Sequence, residues 1–113
     1  KDVEFSALST PLEPAANVSN PARGRIALTV NGEVRQDGTT ADLIFDVPTL
    51  VSFLSSITTL VTGDIIFTGT PEGVGAAQGK FLADGDVITT TIDGIGTMTN
   101  RCRRIGDTRP IGA

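Results

Sequence analysis

The stretch Thr68-Gly69-Thr70-Pro71-Glu72-Gly73-Val74-Gly75 follows directly on the apolar run Ile65-Ile66-Phe67. Glycine lets a ligand approach bare backbone, threonine sets a hydroxyl beside its own N–H, and proline fixes the exit of a turn. Gly69 and Thr70 together can therefore hydrogen-bond a carboxylate or ketone oxygen. The same residues also make an ordinary chain reversal, and their types alone leave both readings open. Two phosphate-binding readings do not fit. The Gly-Lys-Ser/Thr ending of a P-loop is missing. No crossover helix of a dinucleotide fold opens here, because the polar stretch "AAQGKF" and another strand candidate follow.

The remaining chemistry-bearing residues narrow the choice. The 113 residues contain no His, which removes Ser-His-Asp and Cys-His catalysis and every His-based metal motif from this chain. Cys102 is the single cysteine. It can form no intrachain disulfide, and without a neighbouring base it reads as a small structural thiol. Asp84 and Asp86 flank Gly85 and read as turn carboxylates, since a hard cation needs more oxygen ligands than two adjacent aspartates supply. Arg101, Arg103 and Arg104 cluster near the end without interleaved aromatics. With 13 acidic against nine basic residues, a net charge of −4 argues against nucleic acid as a partner. No apolar run approaches a membrane span and no signal peptide is visible, so the expectation is a cytoplasmic protein with no membrane partner.

The elements that must position these residues are mostly strands. "RIALTV", residues 25–30, alternates so that Ile26, Leu28 and Val30 share one face. Asn31-Gly32 then predicts a hairpin. A two-residue loop sets Val30 opposite Glu33, whereas a bulge or a longer loop would bring Val30 and Val34 together, so the register stays open. "DVPTLVSFLSSIT" predicts one helix: Asp46 can cap it, Pro48 suits its first turn, and Leu50, Phe53, Leu54 and Ile57 form one apolar stripe expected to be core. Strands are expected at Asp64–Thr68, Asp86–Ile92 and Ile95–Cys102, the last two joined at Asp93-Gly94. Gly63-Asp64-Ile65-Ile66 and Gly85-Asp86-Val87-Ile88 look like one turn-into-strand device used twice. Residues 1–24, with Pro11, Pro14 and Pro21, read as an extended connecting segment, 25–104 as the body of the domain and 105–113 as a tail. The fold class expected is mostly β (α+β): a folded-over mixed sheet, roll-like, with one amphipathic helix.

Taken together, "VNGEVRQDGTTADLIFDVPTLVSFLSSITTLVTGDIIFTGTPEGVG" resembles the C-terminal part of the fumarylacetoacetate hydrolase family. That family has an Asn-Gly-Glu hairpin followed by Arg-Gln, seen here as Asn31-Gly32-Glu33 and Arg35-Gln36. Its Gly-Asn-Thr-Ser-Asp-Met-Ile-Phe stretch corresponds to Gly38 through Phe45, and its Thr-Leu-x-x-Gly-Asp…Thr-Gly-Thr-Pro-x-Gly-Val-Gly stretch to Thr59 through Gly75. "FLADGDVITTTIDGIGTMTN" is similar to its closing hairpin, and the likeness covers about residues 26–100. Thr39, Ala41 and Leu43 depart from the usual Asn, Ser and Met.

What the resemblance implies is an enzyme of hydrolase, isomerase or lyase type acting on a small keto or diketo acid, as in aromatic-compound catabolism. Such enzymes hydrolyse a C–C bond, decarboxylate, or interconvert enol and keto forms through a metal-stabilised enolate. Mg²⁺ or Mn²⁺ is the implied cofactor, with its carboxylate ligands and a His-containing lid expected in an upstream segment that completes the active site. The resemblance places Gly69 and Thr70 at the substrate and, if it extends through Lys1 to Pro11, makes Lys1 the active-site lysine; otherwise Lys1 is an ordinary terminal residue. A homodimer is also implied. The alternative is a non-catalytic scaffold or dimerisation segment of the same fold.

Overall fold

The computed structural model describes residues 12–106. Four strands form one sheet: β1 (Arg25–Val30), β2 (Glu33–Thr39), β3 (Val87–Ile92) and β4 (Gly96–Arg101). The order is β2-β1-β3-β4, with every pairing antiparallel. Helix α1 (Val47–Ile57) and a single helical turn, α2 (Gly75–Gln78), lie in the long connection between β2 and β3. The expected mostly-β class with one amphipathic helix holds, and α2 is an addition to it.

Local chemistry explains most of these elements. Asn31 and Gly32 both take positive φ, 51° and 81°, as a tight hairpin turn with the twist of its strands requires. The Asn31 side chain then extends the sheet: its Oδ1 accepts from the Val87 N–H and its Nδ2 donates to Asp86, each at 2.9 Å. Helix α1 starts where expected, with the Asp46 carboxylate accepting from the Thr49 N–H at 2.9 Å and Pro48 in the first turn. The repeated Gly-Asp device is literal. Asp64 Oδ2 accepts from Val61 N–H and Asp86 Oδ2 from Ala83 N–H, both at 2.8 Å, while each Asp N–H returns to the same partner's carbonyl at 3.1 Å.

Register assigns the two faces. Ile26, Leu28 and Val30 on β1 lie beside Ile88, Thr90 and Ile92 on β3 and share a face with Met98 on β4. The opposite face carries Thr29, Thr89, Thr91, Thr97 and Thr99. The first hairpin takes the two-residue loop, with Val34 opposite Thr29 on the face away from Val30. Val30 does sit opposite Glu33 across a two-residue loop, and a bulge opposite Leu28/Thr29 then inserts Arg35 as an extra residue. The bulge sends Gln36 and Gly38 to the apolar face, opposite Leu28 and Ile26.

Two expectations are corrected. The segment Asp64–Thr68 is no strand: a strand exists only by pairing, and among the described residues none offers this segment a ladder. The stripe of α1 is not core. Leu50 and Leu54 are half-buried, but Phe53 is 62% and Ile57 68% exposed. Periodicity reports which face a helix would bury, not whether anything covers it. Among the described residues Val30, 5% exposed, is the one buried large hydrophobic side chain.

Candidate substrate-binding corner

The loop that runs from Thr68 into α2 lies against β2 through four contacts of different kinds. Gln36 Nε2 donates to Thr70 Oγ1 at 2.8 Å and to the Pro71 carbonyl at 2.7 Å. Gly38 leaves room for the Pro71 ring, whose Cβ would stand 3.1 Å from any β-carbon placed there. Gly73, at φ 107°, runs so close to β2 that a Cβ would collide with the Arg35 carbonyl oxygen. Beyond the loop, Lys80 Nζ meets Glu33 Oε1 at 3.0 Å. Lys80, and after it Arg35 at 3.3 Å, hold the Glu33 carboxyl below the usual carboxylate range.

Gly69 differs from Gly73. Its φ of 99° also favours glycine, but a Cβ there would meet nothing within 4 Å. Gly69 lines a cleft of about 590 Å³. Its lining includes Ile26 and Gly38 from the apolar face of the sheet, and Phe45 and Leu50. Thr68, Gly69, Thr70 and Pro71 line it too, together with Asp42 and Glu72. The structure thus brings both expected substrate residues, Gly69 and Thr70, to one cleft. Lys1 lies outside the described residues, as does Pro11.

Three carboxylates, Asp37, Asp42 and Glu72, line the cleft. Arg25 grips Asp37 with two bonds, Nε–Oδ1 at 2.8 Å and Nη2–Oδ2 at 3.0 Å, and that hydrogen bonding holds the Asp37 carboxyl low. Asp84 Oδ1 accepts from the Arg104 N–H at 2.8 Å, and Asp86 is tied to Ala83 and Asn31, so both aspartates serve turns as expected. Burial, then the charge of Asp86, pushes the Cys102 thiol up, away from the thiolate a nucleophile needs. Among the described residues no three His, Cys, Asp or Glu converge into a group that could hold a metal by itself. No helix of theirs is long and apolar enough to cross a membrane.

Gln36 is the contact that residue types did not single out. Its position in the Arg35-Gln36 pair was visible, but without the bulge an alternating strand would turn it away from the loop.

The chain is similar to proteins of one kind throughout. Residues 1–103 match the family model described as fumarylacetoacetate (FAA) hydrolase C-terminal. Oxaloacetate tautomerase YisK of Bacillus subtilis is 48% identical over 88 residues, which cover 76% of this chain and 29% of that protein. The 4-hydroxyphenylacetate degradation bifunctional isomerase/decarboxylase of Escherichia coli is 43% identical over 94 residues, 83% of this chain and 20% of that one. Among solved structures, fumarylpyruvate hydrolase from Pseudomonas aeruginosa in complex with Mn²⁺ and pyruvate superposes with a TM-score of 0.72 at 41% identity, covering 80% of this chain and 37% of that chain. The chain therefore spans well under half the length of each.

Proposed function

This chain belongs to the fumarylacetoacetate hydrolase family, and on that premise we propose that it supplies the acid-binding corner of a divalent-metal-dependent enzyme acting on a small keto or diketo acid. One observation carries the reading: Gly69, with open space where a side chain would stand, and Thr70 both line a cleft of about 590 Å³, a size suited to a small-molecule site. Gly69 lets a carboxylate or keto oxygen approach the chain, and the Thr70 hydroxyl donates to it. A relative solved in complex with Mn²⁺ and pyruvate, and others named as tautomerase and isomerase/decarboxylase, support a small 2-keto acid as the ligand.

The reaction class is enol–keto isomerisation, decarboxylation or C–C hydrolysis, each of which develops negative charge on a keto oxygen. Fixed donors aimed at such an oxygen lower the barrier most effectively when they need no reorientation. Binding and orienting the acid is this chain's part. The whole protein's Mg²⁺ or Mn²⁺ is proposed to be held by an upstream segment, and no residue of 12–106 is assigned to it. Lys1 is proposed as the active-site lysine, and the whole protein as a cytoplasmic homodimer.

The test uses the whole protein with Mn²⁺. Oxaloacetate enol–keto exchange and acylpyruvate cleavage are followed by ultraviolet absorbance, and pyruvate binding by calorimetry. Turnover of either substrate with measurable pyruvate binding supports the reading. Neither turnover nor pyruvate binding would return the chain to the scaffold alternative.

A further inference from the structure

We propose that Gln36 is a positioning residue for the acid-binding corner: its amide fixes Thr70 as an acceptor on one side, so that the hydroxyl hydrogen is left for the bound acid. The inference rests on the role given above to Gly69 and Thr70. Gln36 Nε2 lies 2.8 Å from Thr70 Oγ1 and 2.7 Å from the Pro71 carbonyl oxygen. A carbonyl only accepts, so the amide atom facing Pro71 is the nitrogen and not the oxygen. That choice settles the second bond too. Both amide hydrogens are engaged, and Thr70 Oγ1 receives one of them. A hydroxyl that accepts from an amide keeps its own hydrogen for a partner other than Gln36, and Thr70 is among the residues that line the cleft.

The sheet is built to allow this. The bulge at Arg35 rotates β2 so that Gln36 pairs with Leu28 and shares the apolar face with Ile26. Gly38, opposite Ile26, leaves the space that Pro71 occupies. Without the Gln36 donor, the Thr70 hydroxyl can turn and donate to a neighbouring carbonyl. The bound acid then loses a preorganised partner.

A double-mutant cycle separates positioning from mere support of the loop. Pyruvate dissociation constants are measured by calorimetry on the Mn²⁺-loaded whole protein for the parent, Thr70→Val, Gln36→Met and the double variant, with thermal midpoints as a folding check. Thr70→Val is expected to weaken pyruvate on the order of ten- to a hundredfold, the range for a hydrogen bond to a charged group. Gln36→Met is expected to weaken it several-fold when Thr70 is present and not at all in the Thr70→Val background. A Gln36→Met loss that persists undiminished in that background makes Gln36 a loop support and overturns the proposal. So does parent-like affinity in Gln36→Met. An unchanged constant in Thr70→Val instead sinks the corner reading itself, a separate failure. If Gln36→Met does not fold, Gln36→Glu replaces it: the introduced carboxylate takes the Thr70 hydrogen, so affinity falls at pH 7 and recovers only as pH drops through the ordinary carboxyl range near 4. A pH-independent loss, or failure of both variants to fold, overturns the positioning role.

Discussion

Gln36 and Thr70 stand 34 residues apart in the chain and 2.8 Å apart in space. The contact joins the strand after the first hairpin to the glycine-rich turn, and it exists because Arg35 occupies a bulge. One extra residue in β2 thereby decides which side chain meets the loop that faces the cleft.

Replacing Thr70 by Val keeps the shape and removes the hydroxyl. The expected loss in kcat/KM of the whole enzyme corresponds to ~1.5–3 kcal/mol, the strength of a hydrogen bond to a charged or polarised group. The thermal midpoint should hardly move. Unchanged kinetics would reduce the loop to a chain reversal.

The two neighbouring glycines should fail differently. Gly73→Ala forces a Cβ into the Arg35 carbonyl and should detach the loop, lowering the melting temperature clearly. Gly69→Ala meets no atom and carries only the strain of φ 99°, about 1–3 kcal/mol, while its methyl group intrudes on the approach of the acid. Substrate affinity should therefore suffer more than stability. Equal melting losses at both positions would contradict this division.

Stability on the acid side should depend on Asp86. Hydrogen bonds from the Ala83 N–H and then from Asn31 hold its carboxyl below the ordinary value. A depressed folded pKa means the contribution is complete above the unfolded carboxylate range, near pH 4, and is lost as pH falls through the folded value. Asp86→Asn should lower the urea midpoint at pH 7 and make less difference at pH 2. An equal loss at both pH values would show that charge is not what the site uses.

Val30 and Val34 make a matched pair in one hairpin, 5% and 60% exposed. Val30→Ala should cost roughly 1–3 kcal/mol by urea unfolding of the whole protein, and Val34→Ala within about 0.5. A comparable loss at Val34 would mean that another layer covers the threonine-rich face.

Features that short-range chemistry decides were legible along the chain. Asn31-Gly32 needs two positive φ values and takes them, and Asp46 with Pro48 starts the helix where a free carboxylate meets unsatisfied N–H groups. The two Gly-Asp turns close with the same pair of hydrogen bonds. Motif order along the chain was likewise enough to recognise the family. Tertiary structure alone decided what depends on distant partners. Ile65-Ile66-Phe67 reads as a strand, yet among the described residues no ladder forms on it, because pairing requires a neighbour the local sequence does not contain. The stripe of α1 is real, but Phe53 and Ile57 stay exposed, since amphipathicity does not supply a covering layer. The bulge that brings Gln36 under Thr70 is a matter of register between β1 and β2. A shift of one residue there reverses every side chain that follows, and only the assembled sheet settles it.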